Sequence, residues 1–187
     1  MKIIKLTNPK KSIKRNSPAP DVDPNVTEDC FFEKDGKVIF YLKKAPENII
    51  KRANLSNQAL RGDGVPKTVM SRVIYVNGVE QRLKQYSTII GVAAANLKRR
   101  YQPGYSHVHL KKGAQTYIKL MYKLSSECEK LVKDLMPDQY EKQKKLLKEN
   151  IRINLFTSSI ANYNTSANYH IDHGNITANN IIITQST

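Results

Sequence analysis

The sequence predicts an α+β chain, and three observations point there. Apolar segments flank Asp35-Gly36 and Asn77-Gly78, two dipeptides that favour the φ > 0 positions of tight hairpin turns. From Ala114 to Leu135, apolar residues recur mostly at three- and four-residue steps, the period of an amphipathic helix. After Asn150 the chain turns to Ile, Asn, Ser and Thr, and its only charges are Arg152 and Asp172. That composition suits strands that need neighbours to cover them. Hairpins, then helices, then strands make an α+β order.

Element by element, residues 1–28 read as a basic, Pro-containing flexible arm. Lys2, Lys5, Lys10, Lys11, Lys14 and Arg15 stand in its first part without an acid, followed by Ser17-Pro18-Ala19-Pro20 and Asp23-Pro24. The domain proper is expected over 29–187. Its first hairpin spans 30–42, with Cys30-Phe31-Phe32 and Val38–Leu42 as arms. Pro46 suits the first turn of a helix whose apolar face is Ile49, Ile50, Ala53 and Leu60. Gly62–Pro66 breaks the chain. A second hairpin spans 72–83, and Ile89–Val92 is a further strand. A long helix covers 114–136; Pro137 ends it and starts another that runs to about Asn150. Ile151, Ile153 and Leu155 alternate as in a strand, Asn162–Ser166 reads as a turn-rich loop, and Tyr169–Asp172 as a short extended piece. Asn180–Thr184 reads as an apolar strand.

Composition narrows the partners. Among 187 residues, 31 Lys and Arg face 16 Asp and Glu, a net charge of +15. Such a balance favours polyanions, nucleic acid (DNA or RNA) first and anionic surfaces second. No apolar run approaches the ~20 residues of a membrane span, and no h-region of ~7–15 residues marks a secretion signal, so a cytoplasmic protein is expected. Cys30 and Cys128 are too few for a disulfide scaffold or a Cys-rich zinc site, and read as a strand residue and a helix-core residue. The charge is concentrated in the arm and in 98–112. There Lys98, Arg99, Arg100, Tyr101, Lys111 and Lys112 interleave charge with an aromatic ring, alongside Tyr105 and His107. That pattern suits phosphate contact with base stacking. A merely solvated basic face fits it as well. His107 and His109 form a His-x-His pair open to metal or phosphate, or to a plain polar segment.

The residues with the sharpest chemistry are Tyr169-His170-Ile171-Asp172. On an extended backbone His170 and Asp172 share a side. An imidazole nitrogen and a carboxylate oxygen can then meet one ion, two-thirds of the 2-His-1-carboxylate triad of non-haem Fe(II) oxygenases. His173 follows directly and would point the other way. The same tripeptide also fits a surface turn in which Asp172 accepts backbone N–H groups.

A larger pattern surrounds that tripeptide. In order come Phe31-Phe32-Glu33, Gly36-Lys37-Val38, Val65-Pro66-Lys67, Tyr86-Ser87-Thr88-Ile89-Ile90-Gly91 and Arg99-Arg100-Tyr101. Then follow Ser106-His107-Val108-His109, Ala114-Gln115, Met136-Pro137, Thr157-Ser158-Ser159, Tyr169–Asp172, Gly174-Asn175 and Asn179–Thr184. By their order and spacing the stretch from about Cys30 to Thr184 resembles the N-terminal part of phage-encoded 2-oxoglutarate/Fe(II) dioxygenases of the TET/JBP-like kind, the nucleic-acid-base hydroxylases. The resemblance implies a double-stranded β-helix (jelly-roll) core with helical support, of which 114–136 would be part. It implies Fe(II) held by His170 and Asp172, 2-oxoglutarate as cosubstrate, and oxidation of a DNA base of the methylpyrimidine type. It also implies a distal His as third ligand and a basic residue for the far carboxylate of 2-oxoglutarate. Only 15 residues follow Asp172, and apart from His173 none is His, Arg or Lys. A jelly roll needs about eight strands. The expectation is therefore a truncated or split form in a host cytoplasm, its missing half a separately encoded C-terminal partner, a spliced continuation, or absent altogether. The alternative is a non-catalytic basic nucleic-acid-binding protein.

Overall fold

The computed structural model describes residues 2–7, 26–76, 79–93, 104–146, 154–163 and 181–184. The protein is mixed α+β, with helices and two small sheets. It divides into two compact units, one holding the described residues up to Pro46, the other those from Glu47 onward.

The first unit is a three-stranded sheet in the order β1 (Lys2–Lys5), β2 (Cys30–Lys34), β3 (Lys37–Leu42). β2 and β3 form the expected hairpin. Asp35 and Gly36 turn it with φ of 52° and 73°, the positive pair that a two-residue turn matched to strand twist requires. A register shift at Phe32/Glu33 marks an irregularity in the ladder. Phe31 stacks on Tyr41 across the strands, ring centroids 4.5 Å apart. β1 (Lys2–Lys5) lies parallel to β2, with Ile3 opposite Phe31 and Ile4 opposite Phe32. It falls within 1–28, the segment read from sequence as an arm. Lys2 Nζ meets Glu28 at 2.8 Å, an exposed pair. Asp29 accepts from the Lys44 backbone N–H at 2.7 Å and from Lys43 Nζ at 3.2 Å, and both interactions hold its carboxyl below the usual range.

The second unit is organised by one long strand, β5 (Val79–Ala93). β4 (Thr68–Val76) pairs antiparallel along its first half, from Val76↔Val79 to Thr68↔Ser87. β7 (Ser158–Tyr163) pairs along its second half, from Tyr86↔Tyr163 to Gly91↔Ser158. A short β6 (Gly104–Tyr105) pairs with Val92 and Ala93. The expected hairpin therefore has longer arms than 72–83, and the strand at Ile89–Val92 is a continuation of it. Two 3₁₀ turns, His107–Leu110 and Lys112–Ala114, lead into the long helix.

α1 (Glu47–Leu60) buries Ile49, Ala53, Ser56 and Leu60, one stripe at three- and four-residue steps. α2 (Gln115–Leu135) matches the expected 114–136 and buries Tyr117, Ile118, Leu124, Cys128 and Val132. The two helices pack together, and Asn48 Nδ2 donates to Glu127 at 2.8 Å. The first half of α2 faces the sheet, where Tyr117 and Ile118 join Leu60, Val65, Ile90, Val108 and Ala114 in the main core. Each Leu, Val or Ile side chain among them contributes about 1.5–3 kcal/mol by leaving water. α3 (Pro137–Leu146) follows at Pro137 as expected. Val132, Tyr140 and Leu155 form a second cluster, with Met136, Phe156 and Ile181 against it.

Three expectations after residue 150 differ from the structure. Asn154 and Leu155 are bent, not stranded; Leu155 alternates because it is buried on Val132 and Tyr140. Asn162 and Tyr163, read as loop, end β7 instead. Ile181–Thr184 carry no strand; Ile181 packs on the second cluster while Ile182 is exposed. Residues 151–153 and 169–172 lie outside the described residues.

Two glycine contacts set tight limits. A Cβ on Gly64 would lie 2.7 Å from the Gly113 Cα. Gly91 has φ of +96°, and a Cβ there would lie 2.3 Å from the Thr157 carbonyl oxygen. Gly91→Ala is expected to cost roughly 2–5 kcal/mol, from backbone strain plus displacement of β7. Chemical denaturation checks this; a midpoint equal to wild type would show that β7 shifts freely on β5.

Candidate functional site

The residues singled out from sequence divide by where they fall. His170 and Asp172 lie outside the described residues, as do Lys98, Arg99, Arg100 and Tyr101. Lys111 and Lys112 are described: both are exposed, at the junction of the two 3₁₀ turns. Tyr105 and His107 are exposed beside them. Lys111 donates its backbone N–H to the Val108 carbonyl at 3.1 Å, so this basic corner is anchored by Val108, which is buried in the main core.

His109 is the ring that the fold uses. Its Nε2 accepts the Gly91 backbone N–H at 2.9 Å, so the neutral ring carries its proton on Nδ1. The Tyr122 hydroxyl lies 3.5 Å from the same nitrogen, and the Tyr105 and Tyr122 rings sit 4.8 and 6.1 Å away by centroid. Burial lowers the His109 pKa below its ordinary 6.5, because a charged imidazole would lose water there. A ring nitrogen occupied by a backbone N–H is not free for a metal. The His107/His109 pair thus reads as one exposed residue and one structural acceptor. Among the described residues no group of three His, Cys, Asp or Glu could hold a metal ion. Cys128 is buried in α2, which raises its thiol to about 11, so it is protonated and unreactive at neutral pH.

Gly91 draws two other segments, 106–109 and the stretch at Thr157, onto β5. Besides its N–H to His109, its carbonyl accepts from the Ser106 N–H at 2.9 Å, and the neighbouring Val92 N–H donates to the Thr157 carbonyl at 2.9 Å. The approach to β7 is held by polar groups of the helices. Glu129 accepts from the Leu155 N–H at 3.2 Å and the Tyr140 hydroxyl at 3.3 Å. Gln143 Nε2 donates to the Leu155 carbonyl at 3.1 Å, and Asn154 Nδ2 donates to Ser125 Oγ. This clamp positions the strand that ends seven residues before His170. A shallow groove beside it is lined by Arg52, Tyr122, Lys123, Ser126, Glu127 and Asn154. An isolated glycine inside a strand pattern signals close backbone approach, so Gly91 was detectable in sequence. The Glu129 and Gln143 contacts carry no such sign.

Comparison with protein-family models, with curated proteins and with solved structures finds no match. Among the described residues, no helix is long and apolar enough to cross a membrane.

His109 makes stability depend on pH. Above 6.5 both the folded and the unfolded ring are neutral and stability is full. As pH falls through 6.5 the unfolded ring binds a proton that the folded ring refuses, so stability declines until the lowered folded value is passed. Melting temperature is expected to fall over this interval, and less steeply in His109→Gln, which keeps an acceptor without a titration. An equal decline in the variant would assign the dependence to another group.

Proposed function

We propose that the chain is a 2-oxoglutarate/Fe(II) dioxygenase-like protein whose family activity is oxidation of a DNA base, with His170 and Asp172 as two of the iron ligands. The observation that carries this reading is the ordered series of motifs from Phe31-Phe32-Glu33 to Tyr169-His170-Ile171-Asp172. The fold it implies is a double-stranded β-helix with helical support. In its favour, α2 packs on the β5 sheet, and β7, clamped at its approach, ends seven residues before His170 in sequence. Neutral imidazole and carboxylate donors suit a divalent iron that leaves positions open for a 2-oxo acid and O₂. The third ligand and the 2-oxoglutarate base are assigned to no residue here.

Anaerobic Fe(II) binding by equilibrium dialysis tests the reading. Wild-type protein is expected to retain iron, and His170→Ala and Asp172→Ala to weaken it at least about tenfold each, one lost donor bond costing at least ~1.4 kcal/mol. Equal retention by all three proteins would sink the assignment of the ligands.

A second reading is favoured by the net charge of +15: a non-catalytic, basic nucleic-acid-binding protein. DNA affinity measured against salt is expected to fall steeply, by about 0.7–0.9 in log–log slope per phosphate neutralised. A flat plot overturns it.

A further inference from the structure

One face of the second sheet changes character along β5. Ile90 points into the main core with Tyr117 and Ile118 of α2, and Thr88 on the same face is buried. Tyr86, Lys84 and Arg82 continue that face at two-residue steps, about 7 Å apart. There the cover ends: Tyr86 is half-buried, and Lys84 and Arg82 are exposed. The neighbouring strands repeat the change. Val69 opposes Tyr86 and Val73 opposes Arg82 on β4, and they are 56% and 46% exposed. On the other side Tyr163 of β7 opposes Tyr86, with ring centroids 6.3 Å apart and planes at 46°. Arg61, exposed just beyond α1, holds its guanidinium 5.7 Å from the centre of the Tyr163 ring.

We propose that this face binds single-stranded nucleic acid, with Tyr86, buttressed by Tyr163, as the base-stacking ring and Arg61, Arg82 and Lys84 as phosphate contacts. A single exposed valine or tyrosine on a surface needs no explanation. Here two rings, two valines and the cations Arg82 and Lys84 share one stretch of sheet that no helix covers among the described residues, with Arg61 beside it. Aromatic rings on an open sheet offer π-faces that any unpaired base can use, and flanking cations track the backbone. A duplex keeps its base faces stacked inside, so paired DNA cannot use the rings. The charge agrees: between Val79 and Ala93 the only acid is Glu80, at the far end of the face, and the whole chain is +15. None of these five residues belongs to the basic set at 98–112. The proposal rests on the nucleic-acid part of the reading above and not on its iron site. It also fits a base-modifying role, since such enzymes take their target single-stranded or extruded from the stack.

Fluorescence anisotropy with a labelled oligothymidylate, and with the same oligonucleotide in a duplex, tests the proposal on the full chain. Tyr86→Leu is expected to weaken single-strand binding about 5- to 150-fold, and Tyr86→Phe to preserve it. Arg82→Gln with Lys84→Gln is expected to lower the salt slope by about 1.4. These two side chains are exposed, so this variant decides the matter where Tyr86→Leu lowers the melting temperature. Wild-type affinity in both, loss confined to Lys111→Gln with Lys112→Gln, or preference for the duplex would each overturn the platform alone. Failure of the wild-type chain to bind any oligonucleotide at low salt would overturn it together with the binding reading, and leave the iron test standing.

Discussion

The second unit depends on one backbone position, Gly91. Its N–H goes to His109, its carbonyl takes the Ser106 N–H, and its bare Cα lets the Thr157 carbonyl come within a distance no side chain would allow. Two segments, 106–109 and the stretch at Thr157, are thereby fixed to one point of β5. The φ of +96° explains how: the strand there leaves the regular pleat, so it can pair with β7 on one side while offering its amide to a side chain. A residue with a Cβ would have to give up the conformation or the contact with β7. Burial of Ile90 and Val108, which are adjacent in sequence to these contacts, then makes the arrangement part of the core.

That dependence explains the long β5. A strand of 15 residues exceeds the usual five or six, and no single helix could cover it. β4 supports its first half and β7 its second, overlapping at Tyr86 and Ser87. α1 and α2 cover the second half of one face, where the core lies. Beyond Tyr86 the same face is left to Lys84, Arg82 and the valines of β4. Charged side chains are the usual means of keeping exposed sheet soluble, yet paired tyrosines beside them add apolar area that solubility alone does not call for. The other face makes a different concession. Gln85 is buried there, and its Nε2 has no hydrogen-bond partner among the described residues, which costs about 1–3 kcal/mol.

How much of this was legible in the sequence follows from the range of each interaction. α2 was legible because its apolar stripe is a local period, and Tyr117, Ile118, Leu124, Cys128 and Val132 are the residues buried. The β2–β3 hairpin was legible because Asp35-Gly36 encodes its own turn. β1 was not, because Lys2–Lys5 is a basic tetrapeptide whose strand exists only through parallel pairing with residues 30–33. β7 was hidden for the same reason: Ser158–Tyr163 has no strong strand composition and is ordered by pairing with β5 across the whole helical segment. Leu155 shows the converse error. Its alternation with Ile151 and Ile153 is real, but it records burial against Val132 and Tyr140 rather than pairing. Of the site residues, Lys111 and Lys112 were placed as exposed cations, while His170, Asp172 and 98–101 lie outside the described residues.

The two histidines of His107-x-His109 show why residue type alone does not identify a site. Both were equal candidates in sequence, and two residues apart on a strand they would share a side. A 3₁₀ turn separates them instead, since its three-residue period places adjacent and next-but-one side chains in different directions. His107 stays exposed to water. His109 is turned inward, and there its nitrogen meets the one backbone donor of β5 that a left-handed glycine exposes. Desolvation then selects the neutral form, and the neutral form is the one that can accept Gly91 N–H. The geometry and the titration reinforce each other: a proton on Nε2 would remove the acceptor and leave a buried amide without a partner. A metal ion there would have to displace the same amide, so the chemistry that favours His109 as a structural acceptor disfavours it as a ligand.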